Sequence, residues 1–340
     1  MRVLQAMAGA ETGGAEEFFV RLVLALKRAG LDQRVVIRRD PRRAAQLEAG
    51  GVTPVELSFG GLLDFRTRPA LRREIESFKP DAVLTWMSRA TRHCPSGPFV
   101  HVGRLGGYYN LKYYRRCGHL IGNTPDIVEY CAANGWPGDR VHYLPNFVDA
   151  TPTKPAPRAS LQTPEGVPLL LAAGRLHRNK AFDVLIRALA RLPKTYLWLA
   201  GDGPLADELR TLARNEGVAE RVRFIGWRDD VPSLLAAADM LVCPSRVEPL
   251  GNVIIEAWAH GKPVIAAASS GPKYLIKNEK NGLLVPIEDI VALGDAICRA
   301  LGDKALAARL IDGGRVAYAR EFTEAAVVRR YLDFFTEVAR

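Results

Sequence analysis

Two stretches of this 340-residue chain bring charge and glycine together at places where the chain must turn. The first is Gly174-Arg175-Leu176-His177-Arg178-Asn179-Lys180. Its glycine permits the turn. Arg175 and Lys180 can converge on a diphosphate near the start of the following helix, where free N–H groups and the helix dipole already favour an anion. Two basic residues in a solvated loop would read the same way. The second is Glu248-Pro249-Leu250-Gly251-Asn252-Val253-Ile254-Ile255-Glu256-Ala257. Gly251 lets a ligand approach the backbone closely. The amides of Leu250, Gly251 and Asn252 fall where a helix begins and can hold phosphate or sugar hydroxyls. Glu248 and Glu256 can accept hydrogen bonds from two sets of hydroxyls along one extended ligand. A helix N-terminal charge plus a solvated glutamate is the commoner fate of such a pair. Two further turns are weaker: Gly201-Asp202-Gly203-Pro204, and Phe224-Ile225-Gly226-Trp227, whose backbone and indole suit the edge of a base.

These segments need strands before them and helices after them, and the hydrophobic pattern supplies both. Leu169–Ala173, Tyr196–Ala200, Val222–Ile225, Met240–Val242 and Pro263–Ala266 read as buried strands. Phe182–Leu192, Leu205–Glu216, Val231–Ala237 and Asn252–His260 read as the helices between them. The chain closes with helices at 290–301, 304–320 and 323–340. The N-terminal half shows the same alternation: strands at Arg2–Met7, Val35–Ile37, Ala82–Trp86, Phe99–Val102 and Leu120–Asn123, with a helix at Ala15–Arg28 ended by Gly30 and another near Asp126–Asn134. Strand–helix alternation predicts parallel sheets covered on both faces. Three prolines between 152 and 157 mark a linker. The predicted domains are 1–150, a linker at 151–163, a second domain at 164–320, and a C-terminal helix at 321–340 packing back on the first. Ligands of such sheets bind outside the carboxyl ends of the strands, where the turns above fall.

Composition narrows the class. A length of 340 residues suits two domains of ~150 residues each. No run approaches the ~20 apolar residues of a membrane span, and the first residues do not form a signal peptide, so a cytoplasmic location is expected. The five scattered cysteines include no Cys-x-x-Cys pair and read as free thiols. The six histidines lack metal-ligand spacing, so no bound metal is expected. The net charge of +10 suits a polyanionic partner or a solvated basic surface.

Taken together, Leu169 to Pro286 resembles the family 4 glycosyltransferases of the retaining GT-B class. The matching pieces are Ala173-Gly174-Arg175-Leu176, Lys180 to Ile186, Gly201 to Pro204, Val222 to Gly226, Ala238-Asp239, Pro244-Ser245, Glu248 to Ala257, Gly261 to Ala266 and Asn281 to Pro286. Gly13-Gly14-Ala15-Glu16 looks like the family's first glycine-rich loop, and Pro145 to Asp149 like its junction segment. The resemblance implies two Rossmann-like domains facing across a cleft, with a nucleotide-sugar as co-substrate and no metal. It implies that Arg175 and Lys180 neutralise the donor diphosphate as the sugar departs. Glu248 would contact the transferred sugar and Glu256 the ribose hydroxyls. The backbone of Leu250, Gly251, Asn252 and Val253 would lie beside sugar and phosphates, Gly226 and Trp227 would border the base, and Gly13 and Gly14 would close over the diphosphate. The expected activity is transfer of a hexose, with retention, from a UDP-sugar in preference to a GDP-sugar. The acceptor would be a cell-surface glycan of lipopolysaccharide type or a lipid-linked glycan.

The chain departs from the family pattern at three places. Gly271-Pro272-Lys273-Tyr274 stands where many members have Gly-Gly and then glutamate. Ala181 stands where glycine usually follows the lysine. No His-Asp element follows the later N-terminal strand; His101 reads as structural, and Arg104 and Tyr108 are the acceptor-side candidates. Arg104 to Arg116 mixes four tyrosines with cations, and Gly60 to Arg73 sets Leu62, Leu63, Phe65 and Leu71 beside Arg66, Arg68, Arg72 and Arg73. Such mixtures suit an anionic bilayer, so a peripheral contact on the inner face of the plasma membrane is expected. Competing classes are a non-catalytic nucleotide-sugar-binding protein, an inverting GT-B enzyme and a basic nucleic-acid-binding Rossmann protein, though no nucleic-acid motif is present. A Rossmann oxidoreductase needs a Gly-x-Gly-x-x-Gly turn that Gly9 to Gly14 does not supply.

Overall fold

The computed structural model describes residues 1–11, 13–61 and 64–339. Thr12, just before the first glycine-rich loop, Leu62 and Leu63 of the basic–apolar segment, and Arg340 lie outside the described residues. The chain divides into two compact units, one of Met1–Phe147 with the segment from Glu324 onward, the other of Val148–Thr323.

Among the described residues, unit 1 holds a seven-stranded sheet of β1 (Arg2–Met7), β2 (Asp32–Arg38), β3 (Val55–Leu57), β4 (Ala82–Trp86), β5 (Val100–Leu105), β6 (His119–Gly122) and β7 (Val141–Tyr143). Its order is β3-β2-β1-β4-β5-β6-β7, all pairs parallel. Helices α1 (Gly14–Arg28), α2 (Pro41–Ala49), α3 (Thr67–Phe78), α4 (Met87–His93) and α5 (Pro125–Ala133) make the crossovers. Continuous apolar runs explain the central strands: every residue of β4 is buried, as are all but the first of β1. Buried residues of α1, including Phe18, Phe19, Leu22 and Leu26, form the stripe that covers one sheet face.

Unit 2 repeats the design with six strands among its residues: β8 (Leu169–Ala173), β9 (Tyr196–Ala200), β10 (Val222–Phe224), β11 (Met240–Cys243), β12 (Val264–Ala267) and β13 (Leu283–Val285). The order is β10-β9-β8-β11-β12-β13, again parallel throughout. This is the Rossmann order, in which the chain reverses its direction of winding between the first and fourth strands. Its helices are α6 (Phe182–Leu189), α7 (Ala206–Asn215), α8 (Val231–Ala237), α9 (Asn252–Ala259), α10 (Ser270–Leu275), α11 (Ile290–Gly302) and α12 (Lys304–Glu321).

The proline-rich segment after Val148 is fastened to unit 2. The Ala156 amide donates to Ser233 O at 2.9 Å, Arg158 donates to Val167 O and Ala237 O at 2.8 Å each, and Trp198 Nε1 donates to Thr163 at 2.8 Å. At the other end Phe322 packs with Trp258 in unit 2, and then α13 (Glu324–Val338) returns to unit 1. Val327, Tyr331, Phe334 and Phe335 of α13 lie buried in the same core as Phe18, Phe19 and Trp86.

Candidate functional site

In unit 2 the reversal falls between β8 and β11, so the crevice lies at Ala173 and Cys243. The two segments with chemistry leave from those strand ends. In the first, Gly174 has φ +149°, and a Cβ there would sit 3.2 Å from Lys180 Cε. Glycine thus gives both the turn and the room for the lysine stem. The Gly201 turn, weak as a lone motif, proves to be the support for this loop. Gly174 N donates to Ala200 O at 2.9 Å, Leu176 N to Asp202 O at 2.9 Å, and Leu205 N to Leu176 O at 3.1 Å. A Cβ on Gly201 would stand 1.9 Å from Gly174 O, so no side chain fits. Gly226 joins the same chain of ties: its carbonyl accepts from Gly201 N at 2.7 Å, and its φ is +68°. Trp227 beyond it is 46% exposed.

A 3₁₀ turn at Arg178–Lys180 ends on Ala181, a buried residue in the left-handed conformation at φ 52°, ψ 36°. α6 starts immediately after it. The position at which the sequence departs from the family pattern is therefore the one that needs positive φ, and alanine occupies it under strain.

The loop after β11 meets the first loop through side chains. Lys180 Nζ pairs with Glu248 Oε2, and Ser245 Oγ donates to the same oxygen at 3.3 Å. Glu248 is 8% exposed. Burial works to lower the Lys180 pKa, but the Glu248 carboxylate outweighs it and holds the ammonium above its ordinary value. Sequence reasoning missed Arg246. It donates to both carboxylate oxygens of Asp183 at 2.9 and 2.7 Å, to Arg178 O at 2.9 Å and to Glu288. Val247 N adds a bond to Asn179 O at 3.2 Å. The guanidinium fork thus binds loop to loop and both to α6.

Gly251, at φ +88°, turns the chain into α9. Ile254, Ile255, Ala257 and Trp258 face the core, which leaves Asn252, Val253 and Glu256 together on the half-buried face. Gly271, at the start of α10, donates from its amide to Glu248 O at 2.8 Å, and a Cβ there would meet Leu250 O at 2.4 Å. The departure from the family pattern after this residue leaves that close approach intact. Arg175 is exposed and makes no ion pair among the described residues. Unit 2 therefore gathers Lys180, Glu248, Ser245 and the Gly251 turn at one crevice, with Arg175 on the loop above it.

In unit 1, Gly13 and Gly14 open α1, and Glu16 folds back beneath them to accept from Ala10 N at 2.8 Å. A Cβ on Gly9 or on Gly13 would lie 2.4 Å from a Glu16 carboxylate oxygen. Arg104 corrects an expectation. It is 1% exposed and belongs to the core, not to an acceptor surface. Its guanidinium lies 4.3 Å from the Trp86 ring centre and 4.8 Å from that of Phe18. Its Nε donates to Tyr331 Oη at 2.8 Å and its Nη2 to Asn146 at 2.6 Å. A guanidinium enclosed in this way presents no surface to a substrate. Tyr108 is exposed, with its hydroxyl donated to Asp126. His101 is buried 3.0 Å from Thr85 Oγ1, and burial pushes its imidazole down to about 4, so it is neutral.

Of the four tyrosines, Tyr114 is wholly buried, and Leu71 is too. Phe65 is 76% exposed, and Arg66, Arg68, Arg72, Arg73, Lys112, Arg115 and Arg116 are exposed around it or on the second segment. Burial pushes the Cys94 thiol up to about 12, against the smaller opposing effects of the Arg68 and Arg116 charges. α4 adds Arg92, which lies 5.2 Å from the Tyr113 ring centre. Among the described residues no helix is long and apolar enough to cross a membrane, and no group of three His, Cys, Asp or Glu could hold a metal ion.

Residues 153–317 match the family described as glycosyl transferases group 1, and residues 12–151 match glycosyltransferase family 4. The chain is 39% identical over 339 residues to the lipopolysaccharide core biosynthesis glycosyltransferase LpsD of Rhizobium meliloti (strain 1021), covering 98% of each. In structure it resembles a glycosyltransferase from Rickettsia africae ESF-5, with TM-score 0.88, 19% identity and coverage of 100% of this chain and 98% of that one. It also resembles Anabaena Alr3699/HepE in complex with UDP and glucose, with TM-score 0.86, 21% identity and coverage of 99% and 100%.

Proposed function

The chain belongs to the family 4 glycosyltransferases, with the GT-B pair of Rossmann-like domains, and on that premise we propose that it moves a hexose from a UDP-sugar to a lipopolysaccharide core or a lipid-linked surface glycan, with retention of configuration and without a metal. The observation that carries this reading is the Lys180–Glu248 pair at the crevice of unit 2. An ammonium has three donors, and Glu248 takes one of them. The others serve diphosphate oxygens, and Arg175 adds a second cation. As the bond to the sugar breaks, negative charge builds on the diphosphate. Fixed cations there lower the barrier, each worth about 10²–10³ in rate. They also do the work that a divalent ion does elsewhere, which is the basis for metal independence.

Glu248 then accepts from hydroxyls of the transferred sugar, with its carboxylate aimed by Lys180 and Ser245. Glu256 accepts from the ribose, and the backbone of Leu250 to Val253 lies beside sugar and phosphates. Gly226 and Trp227 border the base. Gly13 and Gly14, at the start of α1, are the residues by which unit 1 carries the same resemblance. The acceptor attacks from the face the diphosphate leaves, through an oxocarbenium-like state without a stable covalent intermediate. The LpsD relative supports a lipopolysaccharide-type acceptor, and the UDP complex of HepE supports uracil as the base. The exposed arginines around Phe65 support work at the inner face of an anionic membrane.

The test is a thermal-shift screen of UDP, GDP, ADP and their sugars. Stabilisation follows RT ln(1 + [L]/Kd), so UDP and its sugar should raise Tm while the others leave it unchanged. A rise with GDP alone would replace the base, and no rise with any nucleotide would end the donor-site reading.

A further inference from the structure

Unit 1 has a cavity of about 740 Å³, walled by the segment between β5 and β6 and by the segment from α5 to β7. That volume suits a small ligand. None of the crevice residues of unit 2 takes part in it. Its charge is one-sided: Lys112, Arg115 and Arg140 line it, and no carboxylate does. Lys112 Nζ lies over the Tyr113 ring at 4.9 Å, and neither Arg115 nor Arg140 makes an ion pair with a described residue. Asp126, beside the wall, already accepts the Tyr108 hydroxyl. Cations without counter-charges on a concave wall attract an anion.

Three of the other lining residues, Tyr108, Tyr130 and Trp136, are aromatic and held in place. Tyr108 and Tyr130 meet edge to face, with centroids 5.4 Å apart at 79°. The Tyr130 hydroxyl donates to Tyr109 O at 3.0 Å, which fixes the ring. Trp136 is anchored through its amide to Cys131 O at 3.1 Å. Its Nε1 is buried and has no hydrogen-bond partner among the described residues. Three aromatic rings and three cations without an ion pair among the described residues describe a ligand with a ring to lay on aromatic faces and an anionic substituent. A neutral sugar leaves the cations unused, and bare phosphate leaves the rings unused.

We propose that this cavity of unit 1 binds an anionic sugar, one bearing a phosphate or a carboxylate, with the ring against Tyr130 and Trp136 and the anion on Lys112, Arg115 and Arg140. The inference deepens the proposed function and rests on it for the source of the sugar: an acidic residue of the acceptor glycan.

Saturation-transfer NMR on the full chain tests this with glucose 6-phosphate and glucuronate as probes, against glucose, inorganic phosphate and UDP. Both acidic sugars should receive saturation, with glucose at least about tenfold weaker. The signal should survive saturating UDP. In Arg115→Ala/Arg140→Ala it should fall about tenfold, while the UDP-induced rise in Tm persists and certifies the fold. Trp136→Ala removes one aromatic face of the cavity and should weaken binding by a smaller factor. Equal binding of glucose, displacement of glucose 6-phosphate by inorganic phosphate at equal concentration, displacement by UDP, or full binding by the double variant would each overturn the proposal. A chain that binds the acidic sugars and shows no UDP shift would sink the donor reading while this site stood.

Discussion

Lys180 is where burial and charge compete most directly. Desolvation favours the neutral amine, the Glu248 carboxylate favours the ammonium, and the ammonium wins. A lysine whose folded pKa is raised adds stability below its ordinary value of 10.5 and loses it only as pH climbs beyond that, so the pair is intact throughout the neutral range. Lys180→Ala removes the charge and leaves a Glu248 that is 8% exposed with Ser245 as its one side-chain partner among the described residues. We expect transfer to slow by about 10²–10³ and the urea midpoint to drop by the equivalent of about 3 kcal/mol. Unchanged kcat/KM with that loss of stability would make the pair structural only. The next residue gives a prediction of opposite sign. Ala181 sits at φ 52°, where a Cβ costs about 1–2 kcal/mol. Glycine removes that strain but returns about 0.4–1 kcal/mol of freedom to the unfolded chain. Ala181→Gly should therefore raise stability by about 0.5 kcal/mol in urea titration. Destabilisation there would show that the left-handed turn carries no strain.

At the scale of elements, the crevice is a set of strand ends stitched to one another, and Arg246 is the cross-stitch. It joins the loop after β11 to α6 through Asp183 and to the turn before α6 through Arg178 O. Burial would raise the Asp183 pKa, but the Arg246 guanidinium overrides it and holds the carboxylate below its ordinary value. A depressed carboxylate contributes stability above its ordinary 3.8, and that stability is lost as pH falls below it. The wild type should thus lose this increment on acidification below about pH 4, and Arg246→Ala should lack that part of the acid slope. The donor KM should rise about tenfold in Arg246→Ala, and less in Arg246→Lys, which keeps the charge but not the fork. Equal KM in all three chains would sink the loop-fixing role. This element also shows why sequence reading reaches only so far. β4 and β8 are legible because parallel strands buried on both faces are continuous apolar runs. β3 and β7, at three residues each with mixed burial, carry no such signal. Lys180 and Glu248 were legible as parts of motifs. Arg246 was not, because its partners Asp183 and Glu288 stand 63 and 42 positions away. Arg104 was misread for a related reason: beside glycines and tyrosines it looks exposed, and the rings and hydroxyl that enclose it come from Phe18, Trp86 and Tyr331.

At the scale of the whole molecule the chain leaves unit 1 at Phe147, builds unit 2 and returns with α13, so the core around Arg104 is complete only when Tyr331 arrives. The net charge of +10 is not spread evenly either. Arg66, Arg68, Arg72, Arg73, Arg92, Lys112, Arg115 and Arg116 are all exposed on unit 1, and Phe65, next to Arg66 in the chain, is 76% exposed. Near an anionic leaflet each basic residue is worth about 1 kcal/mol, and burying an exposed phenylalanine adds about 1.5–3 kcal/mol. The attraction is screened beyond about 8 Å at physiological salt. Sedimentation with phosphatidylglycerol vesicles should therefore carry the protein down at about 50 mM salt and release it at about 500 mM. Phosphatidylcholine vesicles should not carry it at either salt. Phe65→Ser/Arg68→Glu removes the apolar anchor and reverses one charge, and should cut vesicle affinity at least about tenfold. Neither residue lies at the crevice of unit 2 or lines the unit 1 cavity, so the UDP-induced rise in Tm and the binding of acidic sugars should be unchanged in that variant. Equal binding to neutral vesicles, or binding indifferent to salt, would show that the excess positive charge is a solvated surface and that the acceptor alone brings this enzyme to its work.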